Sequence, residues 1–137
     1  MDYVVCDTTV VSELRRGGVG CAAMTILTQA VKVISVVTIG ELRAGAIQAG
    51  WGERKRVELE ATINAYVHVD VDAETADAWS RLQAECVRLG RNVGLNDLWI
   101  AAASVRLGCP VASLDGDFER IPGVEVVTAA GDVVQTV

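Results

Sequence analysis

Histidine, proline and aromatic side chains are scarce in this chain. One histidine, His68, is present, with two prolines, three tryptophans, two tyrosines and one phenylalanine. Acid–base chemistry without a metal most often works through histidine. His68 lies mid-strand in an alternating segment, so it reads as structural, and that chemistry is not expected. The four cysteines, Cys6, Cys21, Cys86 and Cys109, include no C-x-x-C pair and sit in apolar or small-residue contexts. Neither a zinc knuckle nor a disulfide framework fits, and the reading is four reduced core thiols in a cytoplasmic protein. No apolar run reaches the ~18–20 residues of a membrane span. Met1-Asp2-Tyr3 opens almost directly into an apolar strand without a basic leader, so no signal peptide is expected.

What is present suits a single globular domain. Apolar residues make up 51% of 137 and charged residues 22%, which is enough for a core without staples. The net charge of -6 excludes a general basic coat for nucleic acid but leaves room for a local patch.

Strand-like and helix-like segments alternate. Residues 3–6, 33–37, 67–71, 110–113 and 124–127 read as strands, and no hairpin signal joins any two of them. Helices are expected over 8–16, 21–31, 38–49, 53–65, 72–89 and 96–107. Trp79, Leu82, Cys86 and Leu89 form one apolar stripe, while 96–107 is apolar nearly all round and should lie buried. The whole chain, 1–137, reads as one α/β domain with its core over about 4–127 and a short C-terminal tail.

In open parallel sheets ligands bind beyond the carboxyl ends of the strands. Asp7 follows the first strand, and Glu41 lies one turn into the helix after the second. Asp115 and Asp117 follow the fourth, and Asp97 opens the helix that feeds it. Singly, each has a structural alternative. Thr38-x-x-Glu41 is a capping box, Asn96 an N-cap beside Asp97, Asp115-Gly116-Asp117 a turn, and Asp7 a cap. Asp70 and Asp72 follow the third strand with no chemistry assigned. The set is harder to dismiss, because Asp97 is the sole acid in its apolar helix. Two carboxylates at ~4 Å repel by about 4 kcal/mol at an effective dielectric of ~20. A hard cation relieves that, and oxygen-only donors suit Mg²⁺ or Mn²⁺.

The basic residues gather in the first half of the chain. Arg15, Arg16, Arg43, Arg54, Lys55 and Arg56 are candidates for holding a phosphate backbone, or simply solvated helix faces. Trp51, between two glycines, either fills a packing gap or interface or stacks on a base.

Four segments, Val5-Cys6-Asp7-Thr8-Thr9-Val10, Ile39-Gly40-Glu41-Leu42-Arg43-Ala44-Gly45, Asn96-Asp97-Leu98-Trp99-Ile100-Ala101-Ala102 and Ala112-Ser113-Leu114-Asp115-Gly116-Asp117-Phe118, resemble in order the acidic motifs of PIN-domain ribonucleases. The single-domain size is similar to that of the VapC toxins of VapBC toxin–antitoxin systems. The resemblance implies a five-stranded parallel sheet of order 3-2-1-4-5 flanked by helices. It also implies a Mg²⁺- or Mn²⁺-dependent endoribonuclease, a homodimer, and a VapB-like antitoxin whose tail enters the acidic groove. Asp7, Glu41, Asp97 and Asp115 fall on the family's acidic positions, and Asp117 on one that is often acidic. Thr9 matches the small hydroxyl two after the first acid, and Ser113 stands where the family usually has Thr.

The mechanism expected on that basis is phosphodiester hydrolysis by water. Asp7 and Asp97 would ligate the metal, Asp115 complete or orient its shell, Asp117 assist, and Glu41 orient or deprotonate the water. Two other readings compete: a PIN-like module that binds RNA or a partner without cutting, and a Mg²⁺-binding phosphoacceptor domain. The second wants paired acids after the first strand and a lysine after a late one, and neither Lys32 nor Lys55, the two lysines, is placed there.

Overall fold

The computed structural model describes residues 2–137, excepting the side chain of Cys21. The readings of Met1 and of the Cys21 thiol lie outside the described residues. Elements follow in the order β1 (Tyr3–Cys6), α1 (Thr8–Arg16), α2 (Cys21–Gln29), β2 (Val31–Ser35), α3 (Val36–Gln48) and α4 (Glu53–Asn64). After these come β3 (Val67–Val69), α5 (Ala73–Arg88), α6 (Leu95–Leu107), β4 (Val111–Ala112), a 3-10 helix (Asp117–Arg120), β5 (Glu125–Val127) and β6 (Val133–Gln135).

Neighbouring residues along each central strand enter different cores, which is why those strands read as continuous apolar runs. Val5, Val33, Val111 and Val126 face one core with Leu82 of α5 and Ile100 of α6. Val4, Cys6, Ile34, Ala112 and Val127 face the other, with Val10, Leu27, Leu42 and Leu59 of α1–α4. The result is a sheet between two helical layers. α6 is buried as its composition predicts, with Leu98 and Ala101–103 at most 1% exposed. The strand order is β3-β2-β1-β4-β5-β6, and the first five strands are parallel, as expected.

Two expectations need correction. The sheet has six strands, because the tail returns as β6, antiparallel to β5. Val133 and Val134 stay exposed, so the tail shows no alternation of buried and exposed positions. Hydrogen bonds seat it instead. Buried Thr136 donates Oγ1–H to the Ile121 carbonyl (2.5 Å) and accepts the Val124 N–H (2.8 Å). The turn before β6 has Gly131 at φ +84°, where an added Cβ would meet the Ala22 backbone at 2.8 Å.

The second correction concerns Val36 and Val37, which read as strand from their β-branched side chains but begin α3. Ser35 accepts the Val37 N–H and is the N-cap, so Thr38 lies buried inside the helix and caps nothing. Glu41 is thereby released from the capping box. Among the described residues no helix is long and apolar enough to cross a membrane. Cys6, Cys86 and Cys109 are free thiols, and burial pushes Cys6 up to about 12, which leaves it inert.

Candidate active site

β1 and β4 are adjacent at the sheet centre, and both end at the same edge. Asp7 leaves β1 there and is 3% exposed. It caps α1 as expected, its Oδ1 accepting the Val10 N–H (3.0 Å), and it also does more. Thr9 Oγ1 donates to Oδ1 (2.6 Å), and Ser113 Oγ, just past β4, donates to Oδ2 (2.7 Å). Burial raises the pKa of Asp7, those three hydrogen bonds hold it down, and nearby Asp115 adds a smaller upward push. Thr9 also accepts the Leu114 N–H (3.0 Å), pinning α1 to the turn after β4.

That turn carries Asp115, whose Oδ1 accepts the Asp117 N–H (2.9 Å). The turn reading of Asp115-Gly116-Asp117 is therefore correct, and it leaves both carboxylates exposed toward the site. Phe118, 1% exposed, anchors the following 3-10 helix in the core. Burying such a ring stabilises by roughly 2–3 kcal/mol, which fixes the turn in place.

Asp97 projects from the first turn of α6. The helix dipole favours an acid there by only ~0.3–1 kcal/mol. Burial wins, and the Asp97 carboxyl is pushed up to about 6, with further upward pushes from Asp115, Asp117, Glu41 and Asp7. The other four sequence-selected acids thus all lie within electrostatic reach of Asp97. Among the described residues none of the five has an ion-pair partner.

Glu41 is held by two side chains that were not among the expected site residues. Thr8 Oγ1 donates to Oε1 (2.6 Å) and Asn96 Nδ2 to Oε2 (3.4 Å). Asn96 is not the N-cap of α6. Gly94 occupies that position, and Asn96 lies one residue inside the helix and reaches across to α3. A signal was present: each polar residue sits directly beside a site acid, Thr8 after Asp7 and Asn96 before Asp97.

Other candidates lie elsewhere. Asp72 caps α5 through the Thr75 N–H (2.9 Å) and pairs with Arg106 (2.7 Å), so that acid has a structural use. His68 is paired through Nε2 with the Ile63 carbonyl (2.8 Å) on an edge strand, a structural histidine. Three of the six basic candidates are occupied: Arg16 by Glu13 (2.6 Å), Arg43 by Glu60 (2.6 Å) and Arg54 by Glu58 (3.5 Å). Arg15, Lys55 and Arg56 have no such pairing among the described residues.

The oxygen-only donor set, lacking any compensating cation, fits a hard divalent ion. Among the described residues no three Asp, Glu, His or Cys side chains form a group that could hold a metal ion as they stand. Mg²⁺ does not require one, since it is commonly held by one or two carboxylates and keeps several waters.

Residues 4–124 match the PIN-domain family. This chain belongs to that family. The PIN domain is 34% identical over 97 residues to ribonuclease VapC4 of Mycobacterium tuberculosis, covering 69% of this chain and 75% of that protein. It is 32% identical over 99 residues to the tRNA(fMet)-specific endonuclease VapC of Shigella flexneri, covering 72% and 75%. Among solved structures, it superposes on a chain of DNA-bound VapBC from Salmonella typhimurium with a TM-score of 0.82 at 26% identity, covering 94% of this chain and 99% of that one.

Ser113 gives the PIN domain a direct test. Ser113 is 1% exposed, and its hydroxyl supplies one of three donors to Asp7. Should Asp7 ligate a divalent ion, Ser113→Ala is expected to weaken Mg²⁺ binding by about 10–100-fold, the usual cost of losing a partner behind a ligand. Ser113→Thr should retain it. Calorimetric titration of Mg²⁺ into the folded variants measures this, and an unchanged affinity in the alanine variant would contradict the role.

Proposed function

We propose that this PIN domain is a metal-dependent endoribonuclease and the toxin of a toxin–antitoxin pair. The observation that carries the reading is Asp97, a half-buried carboxyl whose ionisation is opposed by four other acids at one sheet edge. Such a site is costly for a folded protein and useful for binding a cation. Bound Mg²⁺ or Mn²⁺ would polarise the phosphodiester and ease deprotonation of the attacking water.

The chain's own residues do the rest. Asp7 and Asp97 would hold the ion, with Asp115 orienting that pair and Asp117 assisting. Thr9 and Ser113 keep the Asp7 oxygens aimed. Glu41, fixed at both oxygens by Thr8 and Asn96, takes the proton from the attacking water. The exposed turn at Asp115 leaves room for a phosphodiester to enter. The VapC relatives are named ribonucleases, and the solved relatives include VapBC complexes. These support RNA as substrate and a VapB-like antitoxin as partner; a tail of that partner in the acidic groove belongs to the proposal. A homodimer and a cytoplasmic location belong to the same reading.

The test is cleavage of total cellular RNA by purified protein with Mg²⁺, Mn²⁺ or EDTA. Discrete fragments that require metal are expected. A folded, partner-free protein that leaves RNA intact under every condition would overturn the reading.

A further inference from the structure

Arg15, Trp51 and Lys55 come from three elements and meet at one point. Trp51 is the single residue between Gly50 and Gly52, in the link from α3 to α4. Its N–H is bonded to the Ala46 carbonyl (3.0 Å), and its ring packs half-buried on the α1–α4 core. The Arg15 guanidinium, from the end of α1, lies 4.7 Å from the ring centroid. The Lys55 ammonium, from the first turn of α4, lies 5.4 Å from it. Among the described residues neither cation has an ion pair, although Arg16, Arg43 and Arg54 nearby are all paired. One indole therefore holds two uncompensated charges in fixed positions.

The placement relative to the acids gives this cluster a use. Arg15 is seven residues beyond Thr8, which is two helical turns, so the two share one stripe of α1. Thr8 touches Glu41, so the stripe runs from the carboxylates to the cation pair over about 10 Å. Fixed cations beside a flat aromatic suit a single-stranded polyanion. We infer that Arg15 and Lys55, positioned by Trp51, clamp the phosphates of the RNA strand a few nucleotides from the scissile bond. This rests on the ribonuclease reading above.

The experiment measures binding of a labelled, random-sequence single-stranded RNA in EDTA across a salt series. No cleavage is then needed. Each phosphate contact on a single strand contributes a slope of about 0.7 in log K against log salt. The double variant Arg15→Gln/Lys55→Gln is expected to lower the slope by about 1.4. Arg81→Gln is expected to leave it unchanged. That substitution also removes a cation, but one on α5, in the opposite layer, where it pairs with Asp77 (3.1 Å). Trp51→Leu keeps both charges and should weaken binding about three- to tenfold, with Trp51→Phe restoring most of it. Wild-type protein that neither binds nor cuts RNA would sink both readings. Wild-type protein that cuts RNA, beside variants with an undiminished slope, would overturn this inference alone and assign the three side chains to a protein partner.

Discussion

Asp97→Asn is expected to abolish RNA cleavage and, in metal-free protein, to raise stability. The two effects share one cause. Asp97 is pushed up to about 6 by burial and by its acidic neighbours, whereas an unfolded aspartate titrates near ~3.9. Between those values the folded chain binds more protons than the unfolded one. Stability therefore falls as pH rises through the window, and the ionised group is a full liability above it. A two-unit shift corresponds to about 3 kcal/mol, but Asp97 is only half-buried, so water screening reduces this to roughly 1–2 kcal/mol. Asparagine keeps the shape and removes the charge. Its melting temperature should exceed that of wild type by roughly 3–8 °C at about pH 8 and match it near pH 4. Added Mg²⁺ should raise the wild-type value and leave the variant nearly unmoved. Cleavage should drop by about a thousandfold or more, roughly 4 kcal/mol of barrier. Near-normal cleavage, or a variant less stable than wild type at pH 8, would contradict the assignment.

That trade of stability for function explains why the acids could be found in the sequence at all. A lone Asp97 in a helix of Leu, Trp, Ile and Ala has no packing purpose. Asp7 and Asp115 were legible because a parallel sheet buried on both faces announces where its strands end, and the acids stand at those ends. The misread parts have local causes. Val36 and Val37 look like strand because they are β-branched, yet the Ser35 hydroxyl caps a helix there and Val37 packs half-buried against the core. β6 shows no buried face, since hydrogen bonds through Thr136 and the close approach at Gly131 seat it. The Thr8 and Asn96 grip on Glu41 joins positions 33 and 55 residues apart, which single-sequence spacing does not reveal. Nor did the basic residues show which were paired. Glu13, Glu58 and Glu60 take three of them, and only the folded chain shows Arg15 and Lys55 left on Trp51.

RNA cut by this protein is expected to carry 5′-phosphate and 3′-hydroxyl ends. A substrate with a single 2′-deoxy nucleotide at the scissile position should be cut within about tenfold of the all-ribose one, about 1.4 kcal/mol in barrier. The reason is the set of groups available to move protons. Attack by the neighbouring 2′-hydroxyl would need a base on that hydroxyl and an acid on the leaving oxygen, usually imidazoles. The single histidine is spent on the Ile63 carbonyl at the sheet edge, and Lys55 is committed to Trp51. Among the site carboxylates, Asp7 and Glu41 have both oxygens fixed by neutral donors, and Glu41 is the more exposed of the two. Thr8 and Asn96 carry no charge, so they orient Glu41 without neutralising it. A carboxylate held in that way is suited to accept a proton from water. Water attack expels the 3′-oxygen and never involves the 2′-hydroxyl. End-group analysis of the fragments, beside the single-deoxy substrate, decides the point. Cyclic phosphate ends together with complete loss on deoxy substitution would mean that the ribose supplies the nucleophile, and would remove Glu41 from the role given to it here.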